Sequence, residues 1–132
     1  MNFPHESHGV LRASFEKGLY RLALDVDPGI VEVARALVPR SVRLNRTRFA
    51  PHISVVRGPT IGSAWGRHDG EVVAFRYSTH VYNDEVYFWL KAESARLREV
   101  RVELGLASMD WYCRPPDDDD CFHCTIGNQK PT

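Results

Sequence analysis

The spacing of apolar and polar residues changes period along the first part of the chain. In GLYRLALDV, residues 18–26, apolar and polar side chains alternate and the run ends at DPG, which predicts a first β-strand. The next run, GIVEVARALVP, changes to helical spacing, with a cap at Asp27, a first-turn Pro28 and a stop at Pro39. Its apolar positions are Ile30, Val33, Ala34 and Leu37. We predict a strand followed by an amphipathic helix.

A similar order of elements follows in the second part of the chain. RFAPHISVV (48–56) reads as a buried strand, and TIGSAWGRHDG (60–70) as a glycine-rich loop. EVVAFRYSTHVY (71–82) and EVYFWLKA (85–92) predict a hairpin around NDE. SARLREVRVELG predicts a second helix, capped by Ser94, with Gly105 at its end and Leu97, Val100 and Leu104 on one face. LASMDWYC (106–113) fits another strand, and CFHCTIG (121–127) a strand that closes the sheet.

Composition and charge limit the kinds of partner that we expect. The chain has 132 residues, 43% of them hydrophobic and 26% charged, which suits a single domain spanning 1–132. Its 17 basic side chains balance 17 acidic ones, which favours a small or single-stranded ligand over a long duplex nucleic acid. The N-terminal segment lacks a signal-peptide pattern, and no apolar run approaches the roughly twenty residues of a membrane span. We expect a cytoplasmic protein that does not bind membranes.

Two strands carry a histidine and a hydroxyl two residues apart. Because successive side chains of a strand point to opposite faces, His52 and Ser54 share one face, and His123 and Thr125 share another. The tripeptide HES at 5–7 also has this form, but it lies in a polar segment with no strand pattern. The other two copies sit in apolar strands at matching places in two similar halves. They are the candidate catalytic residues.

A cysteine cluster near the C-terminus offers a different interpretation. Cys113, Cys121, His123 and Cys124 are residue types that bind zinc, so a small structural zinc protein is an alternative. Neighbouring residues of a strand point apart, however, so His123 and Cys124 would not readily reach one ion. An odd number of cysteines is also a poor disulfide framework and suits a reducing compartment.

The motifs PHISVV and FHCTIG, with the run YRLALDVDPGIVEVARAL, resemble those of the two-histidine (2H) phosphoesterase superfamily, which includes bacterial RNA 2′,5′-ligase-like proteins and cyclic nucleotide phosphodiesterases. The resemblance implies an α+β fold with two pseudo-symmetric lobes, whose antiparallel strands and flanking helices surround a central cleft. It implies catalysis without a metal or other cofactor. Its expected substrates are nucleotides, RNA ends with 2′,3′-cyclic phosphates, 2′,5′ or 3′,5′ linkages, and cyclic oligonucleotide second messengers.

The residues themselves suit phosphodiester cleavage. Histidine has an ordinary pKa of about 6.5, so two histidines can act as base and acid, each transfer contributing roughly 10²- to 10⁴-fold. Ser54 and Thr125 can donate hydrogen bonds to the phosphoryl oxygens where negative charge develops. Either water or a ribose hydroxyl could attack, and which histidine is the base depends on the side from which the leaving oxygen departs.

Four further residues are candidates for substrate binding. RSVRLNRTR brings several arginines before the first motif, and Arg48 is the nearest to it. Tyr87, Trp89 and Lys91 alternate along one face of a predicted strand, where they could form a base-stacking platform with a nearby cation. The same features would suit a nucleotide- or RNA-binding module without catalysis, which is a second alternative. The run Asp117 to Asp120 is interpreted as a solvated loop.

Overall fold

A computed structural model describes residues 2–59, 64 and 66–131 of the chain. These residues form seven strands and two helices. In chain order the elements are β1 His5–Glu16, β2 Leu19–Asp25, α1 Pro28–Ala36, β3 His52–Gly58, β4 Val72–Tyr77, β5 Tyr82–Asn83, β6 Tyr87–Glu93, α2 Ala95–Glu103 and β7 Phe122–Asn128. The predicted α+β class is confirmed.

All seven strands belong to one antiparallel sheet with the order β4-β1-β2-β3-β7-β6-β5. An additional pairing between β4 and β6 joins the two sides of the sheet. Strand β7 therefore lies in the middle of the sheet, beside β3, and does not form its edge. No helix in the described ranges is long and apolar enough to cross a membrane.

The unit strand, helix, antiparallel strand occurs twice. β2 leads through α1 to its neighbour β3, and β6 leads through α2 to its neighbour β7. Each helix has nine residues and the predicted cap: Asp27 Oδ1 accepts from Gly29 N–H at 2.9 Å, and Ser94 Oγ from Leu97 N–H at 3.2 Å. Such caps satisfy backbone donors that the first turn leaves free.

The helices pack against the apolar face of the sheet, and one predicted helix face is wrong. In α2 the predicted residues Leu97, Val100 and Leu104 are buried. In α1 the buried residues are Val31 and Ala34, whereas Val33 and Leu37 are 67% and 59% exposed. Apolar residues cover two neighbouring stripes of α1, so helical period alone could not tell which stripe faces the sheet.

Strand β1 contradicts the prediction that the N-terminal segment has no strand pattern. Only Gly9 and Leu11 of β1 are buried, so its apolar alternation is too weak to read from sequence. Its backbone is instead paired along the whole strand, with β4 over His5–Val10 and with β2 over Val10–Glu16. Gly9 permits a close approach to β2, because a Cβ at this position would lie 2.1 Å from Asp25 O.

The segment 106–113 is irregular and ends in a turn at 111–113, so the strand predicted there is wrong. Asp110 Oδ1 accepts from the N–H groups of Tyr112 at 2.9 Å and Cys113 at 3.3 Å, which bends the chain. Asp110 Oδ2 also pairs with Arg101 of α2 at 2.8 Å. A carboxylate therefore holds this segment in a turn.

The predicted hairpin around NDE is confirmed as β5 and β6. The first of its two predicted strands is divided, however, into β4 and β5, with an interruption at 78–81. Ser78 Oγ accepts there from Lys91 N–H at 3.0 Å, in place of a backbone partner. Of the predicted loop at 60–70, residues 60–63 and 65 lie outside the described residues, and 66–70 form turns.

Candidate active site

His52, Ser54, His123 and Thr125 line one cavity of about 170 Å³, together with Thr47, Phe49 and Ala50. The pairing of the two motif strands explains this arrangement. Ile53 of β3 pairs with Cys124 of β7. In an antiparallel pair the flanking residues then face each other, so His52 lies beside Thr125 and Ser54 beside His123. The two histidines occupy diagonal corners of the site.

Each motif strand carries a β-bulge at the residue after its hydroxyl. In β3 the register to β2 passes from Ala23↔Ser54 to Leu22↔Val56 and leaves Val55 unpaired. In β7 the register to β6 shifts in the same way, from Thr125 to Gly127, and leaves Ile126 unpaired. A bulge bends a strand and redirects its side chains. The two halves therefore have a β-bulge at the same position of the motif, directly after the hydroxyl residue.

Both histidine rings are oriented by backbone carbonyl groups. His52 Nδ1 lies 2.8 Å from Ala50 O, and His123 Nδ1 lies 3.0 Å from Cys113 O. Only a protonated Nδ1 can donate to a carbonyl oxygen, so these bonds select the tautomer of the neutral ring that carries its proton on Nδ1. The Nε2 atom of each ring is then left to exchange a proton with a ligand.

The two rings also interact electrostatically. The pKa of His123 is lowered from its ordinary value, chiefly because burial disfavours the imidazolium form, and also because of the charge of His52. The hydrogen bond to the Cys113 carbonyl partly opposes this shift. His123 is therefore mostly neutral near neutral pH and able to accept a proton at Nε2.

Sequence reasoning missed the residues that complete the site: Thr47, Phe49 and Ala50 line the cavity, and Tyr112 contacts a lining residue. The Tyr112 hydroxyl donates to Ser54 Oγ at 3.3 Å, which places it beside one of the predicted hydroxyls. Phe49 lines the cavity and is 60% exposed. The position of Tyr112 depends on the turn at Asp110, which no local pattern revealed. Phe49, by contrast, stands three residues before His52, and an aromatic residue so close to the motif was a usable signal.

The predicted substrate-binding residues are distributed unevenly around the cavity. Arg48 is exposed near its rim, with its guanidinium carbon 5.8 Å from the centroid of the Phe49 ring. Of the other arginines in that run, Arg46 pairs with Glu32, and Arg43 lines a separate cavity beside Lys130. Arg48 is thus the member of the run that lies nearest to the site.

The stacking platform predicted on β6 is covered. Trp89 and Lys91 pair with Thr125 and His123 across β6 and β7, but they are only 2% and 5% exposed. Lys91 Nζ is held by Asp117 at 2.6 Å and Asp119 at 2.9 Å, so part of the aspartate run packs against the sheet. Tyr87 is half-buried, with Lys130 Nζ 5.1 Å from its ring centroid. Trp89 and Lys91 therefore lie beside the candidate catalytic residues of β7, but none of the three side chains lines the cavity.

The cysteine cluster belongs to the core. Burial is the main cause that raises the pKa of each thiol, Cys113, Cys121 and Cys124, to about 12. The Cys113 thiol donates to Val55 O at 3.0 Å, and Cys124 faces the side of β7 opposite to His123. Within the part of the chain that the structure describes, no group of three or more His, Cys, Asp or Glu side chains is placed to hold a metal ion.

Comparison of the chain with protein-family models, with curated proteins and with solved structures found no match in any of the three.

Proposed function

We propose that this protein is a phosphodiesterase of the 2H type, which cleaves phosphodiester bonds of nucleotides or RNA by acid–base catalysis with His52 and His123. One observation carries the proposal: two histidines from different halves of the chain line one cavity, and each has its Nδ1 atom tied to a backbone carbonyl. A histidine with a purely structural role does not require an available Nε2 atom beside a second histidine. Two groups that transfer protons to and from one substrate do require available Nε2 atoms in the same cavity.

In the proposed reaction one histidine removes a proton from the attacking hydroxyl, which is either water or a ribose 2′-hydroxyl. The oxygen forms a bond to phosphorus, the bond to the leaving oxygen breaks, and the second histidine protonates that oxygen. The number of protons on the pair is unchanged, and the charges of the two rings are exchanged. The lowered pKa of His123 suits the base, and His52 is then the acid.

The hydroxyl groups suit the charge that develops during the reaction. Ser54 and Thr125 each stand beside the histidine of the opposite strand and can donate to non-bridging phosphoryl oxygens. Because Ser54 Oγ already accepts from Tyr112, its own hydrogen is free to be donated to a ligand. Every proton transfer and charge contact in this scheme is assigned to a side chain, so the proposed chemistry requires no metal.

The repeated unit of the fold supports a 2H-like arrangement of two lobes around the cavity. β2, α1 and β3 form one lobe, β6, α2 and β7 form the other, and the motif strands meet at the boundary. A cavity of about 170 Å³ can take a phosphoryl group and nearby sugar atoms, and the balanced charge of the chain favours a small or single-stranded ligand. We therefore propose single nucleotides, RNA ends or cyclic oligonucleotides as the substrate class.

A panel of substrates measured in excess EDTA tests the proposal. It contains 2′,3′-cyclic nucleotides, 2′,5′- and 3′,5′-linked dinucleotides, and cyclic dinucleotides. We expect wild type to cleave at least one of them, and His52→Ala and His123→Ala each to lose about 10²- to 10⁴-fold in rate. The exposed His8 on β1 supplies the control His8→Ala, which should retain wild-type rates.

The same panel separates the enzyme from a binding module. Tight binding of a panel member without cleavage by wild type would favour the nucleotide-binding alternative over catalysis. Cleavage that persists in both histidine variants would overturn the assignment of the site. Unfolding of the protein by EDTA would instead revive the structural zinc alternative.

A further inference from the structure

A pair of arginines lies on the same face of the sheet as the candidate active site. Arg21 of β2 and Arg57 of β3 are directly opposite each other in the register of the two strands. The next pair on this face is Ala23 and Ser54. Val55 is the extra residue of the bulge, so Val55 and Val56 together lie opposite Leu22, and Arg57 returns to the face of Ser54. Arg57 is therefore the next side chain after Ser54 on this face of β3, and Arg21 lies opposite it on β2.

This pair carries two positive charges that no carboxylate of the described residues neutralises. Like charges at directly opposite positions of neighbouring strands destabilise a sheet. Among the described residues neither Arg21 nor Arg57 has a carboxylate partner, whereas Arg12 on the adjoining strand binds both oxygens of Asp25. In addition, Arg21 Nε is buried and has no hydrogen-bond partner in the described part of the chain. An unsatisfied buried donor costs free energy.

Tyr112 connects the arginine pair to the candidate active site. The Arg57 guanidinium carbon lies 5.4 Å from the centroid of the Tyr112 ring, in a cation–π contact. The hydroxyl of the same ring contacts Ser54 Oγ at 3.3 Å. Arg57 is thus separated from the site by the width of one aromatic ring.

From this geometry we infer that Arg21 and Arg57 form a binding subsite for a second phosphate group of the substrate. The inference rests on the proposed function and narrows its substrate class to nucleotides with a phosphodiester next to the one that is cleaved. A bound phosphate would offset the repulsion between the guanidinium groups and supply the acceptor that Arg21 Nε lacks. The planar donor array of arginine matches phosphate oxygens. The substrate is therefore an oligonucleotide end or a cyclic oligonucleotide, and not a mononucleotide.

Two matched probes isolate the contribution of the second phosphate. One is a diadenosine dinucleotide with a 3′,5′-phosphodiester linkage and a terminal 2′,3′-cyclic phosphate, and the other has an uncharged methylphosphonate in place of the internal linkage. Both contain the same bases, so a difference in affinity reports the internal charge and not stacking. All proteins tested carry His52→Asn, so that bound probe is not consumed. Affinity is measured by isothermal titration calorimetry.

We expect the phosphodiester probe to bind on the order of tenfold more tightly than the methylphosphonate probe. Arg57→Gln and Arg21→Gln should each reduce this ratio to about one to three. The affinity for the phosphodiester probe falls as the salt concentration rises. In each variant the slope of log affinity against log salt should become less negative by about 0.7 per lost phosphate contact. Arg76→Gln is the matched control, because Arg76 is an exposed arginine of β4, which β1 and β2 separate from β3. It should keep the wild-type ratio.

Three results would overturn the inference: equal affinity of both probes, a ratio unchanged in both subsite variants, or no binding of either probe. Circular dichroism and thermal unfolding show whether each variant is folded. Arg57→Lys keeps the positive charge, so its ratio of probe affinities should lie between those of wild type and Arg57→Gln.

The inference and the proposed function fail separately. If the phosphodiester probe binds more tightly than the methylphosphonate probe but the protein with His52 intact cleaves no substrate, the phosphate subsite is supported and the proposed enzyme activity is not. If the protein cleaves a substrate but binds both probes equally, the enzyme activity is supported and the subsite is not.

Discussion

Arg101 Nη1 donates a hydrogen bond of 2.6 Å to the carbonyl oxygen of Val55, the bulged residue that follows Ser54 in β3. The other half has a counterpart: Arg35 Nη1 donates at 2.8 Å to the carbonyl of Ile126, the bulged residue of β7. Each helix thus binds the bulge in the motif strand of the other half. We infer that these two arginines hold the strands of the candidate active site in register.

Replacement of Arg101 by methionine should strongly destabilise the protein. Arg101 is 1% exposed, and the change would remove its hydrogen bonds to the carbonyl oxygens of Val55 and Ala107 and to the Asp110 carboxylate. The Asp110 carboxylate is 38% exposed, so the loss comes mainly from the charge-assisted hydrogen bonds of Arg101, each of which contributes about 1.5–3 kcal/mol. The free energy of unfolding in urea measures this loss. Val102→Ala, at a 57% exposed neighbouring position, is the control. A loss below about 1 kcal/mol for Arg101→Met would mean that the network is unimportant for stability.

Tyr112→Phe should reduce turnover without affecting the fold. The variant keeps the ring that contacts Arg57 and removes the hydroxyl that donates to Ser54. One neutral hydrogen bond corresponds to about a two- to tenfold effect, which we expect in the turnover of whichever panel substrate wild type cleaves. The melting temperature should stay close to that of wild type. An unchanged rate together with unchanged stability would show that the contact has no role in the reaction.

His123 should make the protein less stable at acid pH. Because its folded-state pKa is lowered, the unfolded chain binds more protons between the ordinary value of about 6.5 and the folded value. The stabilisation is therefore present above about pH 6.5 and is lost as the pH falls through the folded pKa. We expect the melting temperature of His123→Gln to fall less than that of wild type between about pH 7 and pH 5. The control His8→Gln should follow wild type, and an equal fall in His123→Gln would contradict this assignment.

Gly9→Ala should destabilise β1. The added Cβ would lie 2.1 Å from the backbone oxygen of Asp25 and 3.0 Å from Leu24 Cγ, so β1 and β2 would have to move apart. Overpacking of this kind costs about 1–3 kcal/mol. Gly58→Ala is a matched strand control, since a Cβ there has no atom within 4 Å. Equal free energies of unfolding for the two variants would show that the strands separate without cost.

Part of the candidate site was predictable because the signals are local. Alternation within a strand placed His52 with Ser54 and His123 with Thr125, each pair on a shared face. The covering of β6 was not predictable. Trp89 and Lys91 alternate as an exposed face would, but both are buried, and Lys91 is held by Asp117 and Asp119, which approach from a distant part of the chain.

The sequence by itself determined that the chain combines helices and strands, the caps of both helices at Asp27 and Ser94, and the faces of the two motif strands. Each depends on residues within one or two turns or strand steps of one another, where period and capping chemistry operate. Only the tertiary structure decided that β3 pairs with β7, that each motif ends in a bulge, and that Tyr112 reaches Ser54. These depend on hydrogen bonds between distant segments, and their free energy is decided by the packing of the whole sheet and not by any local pattern.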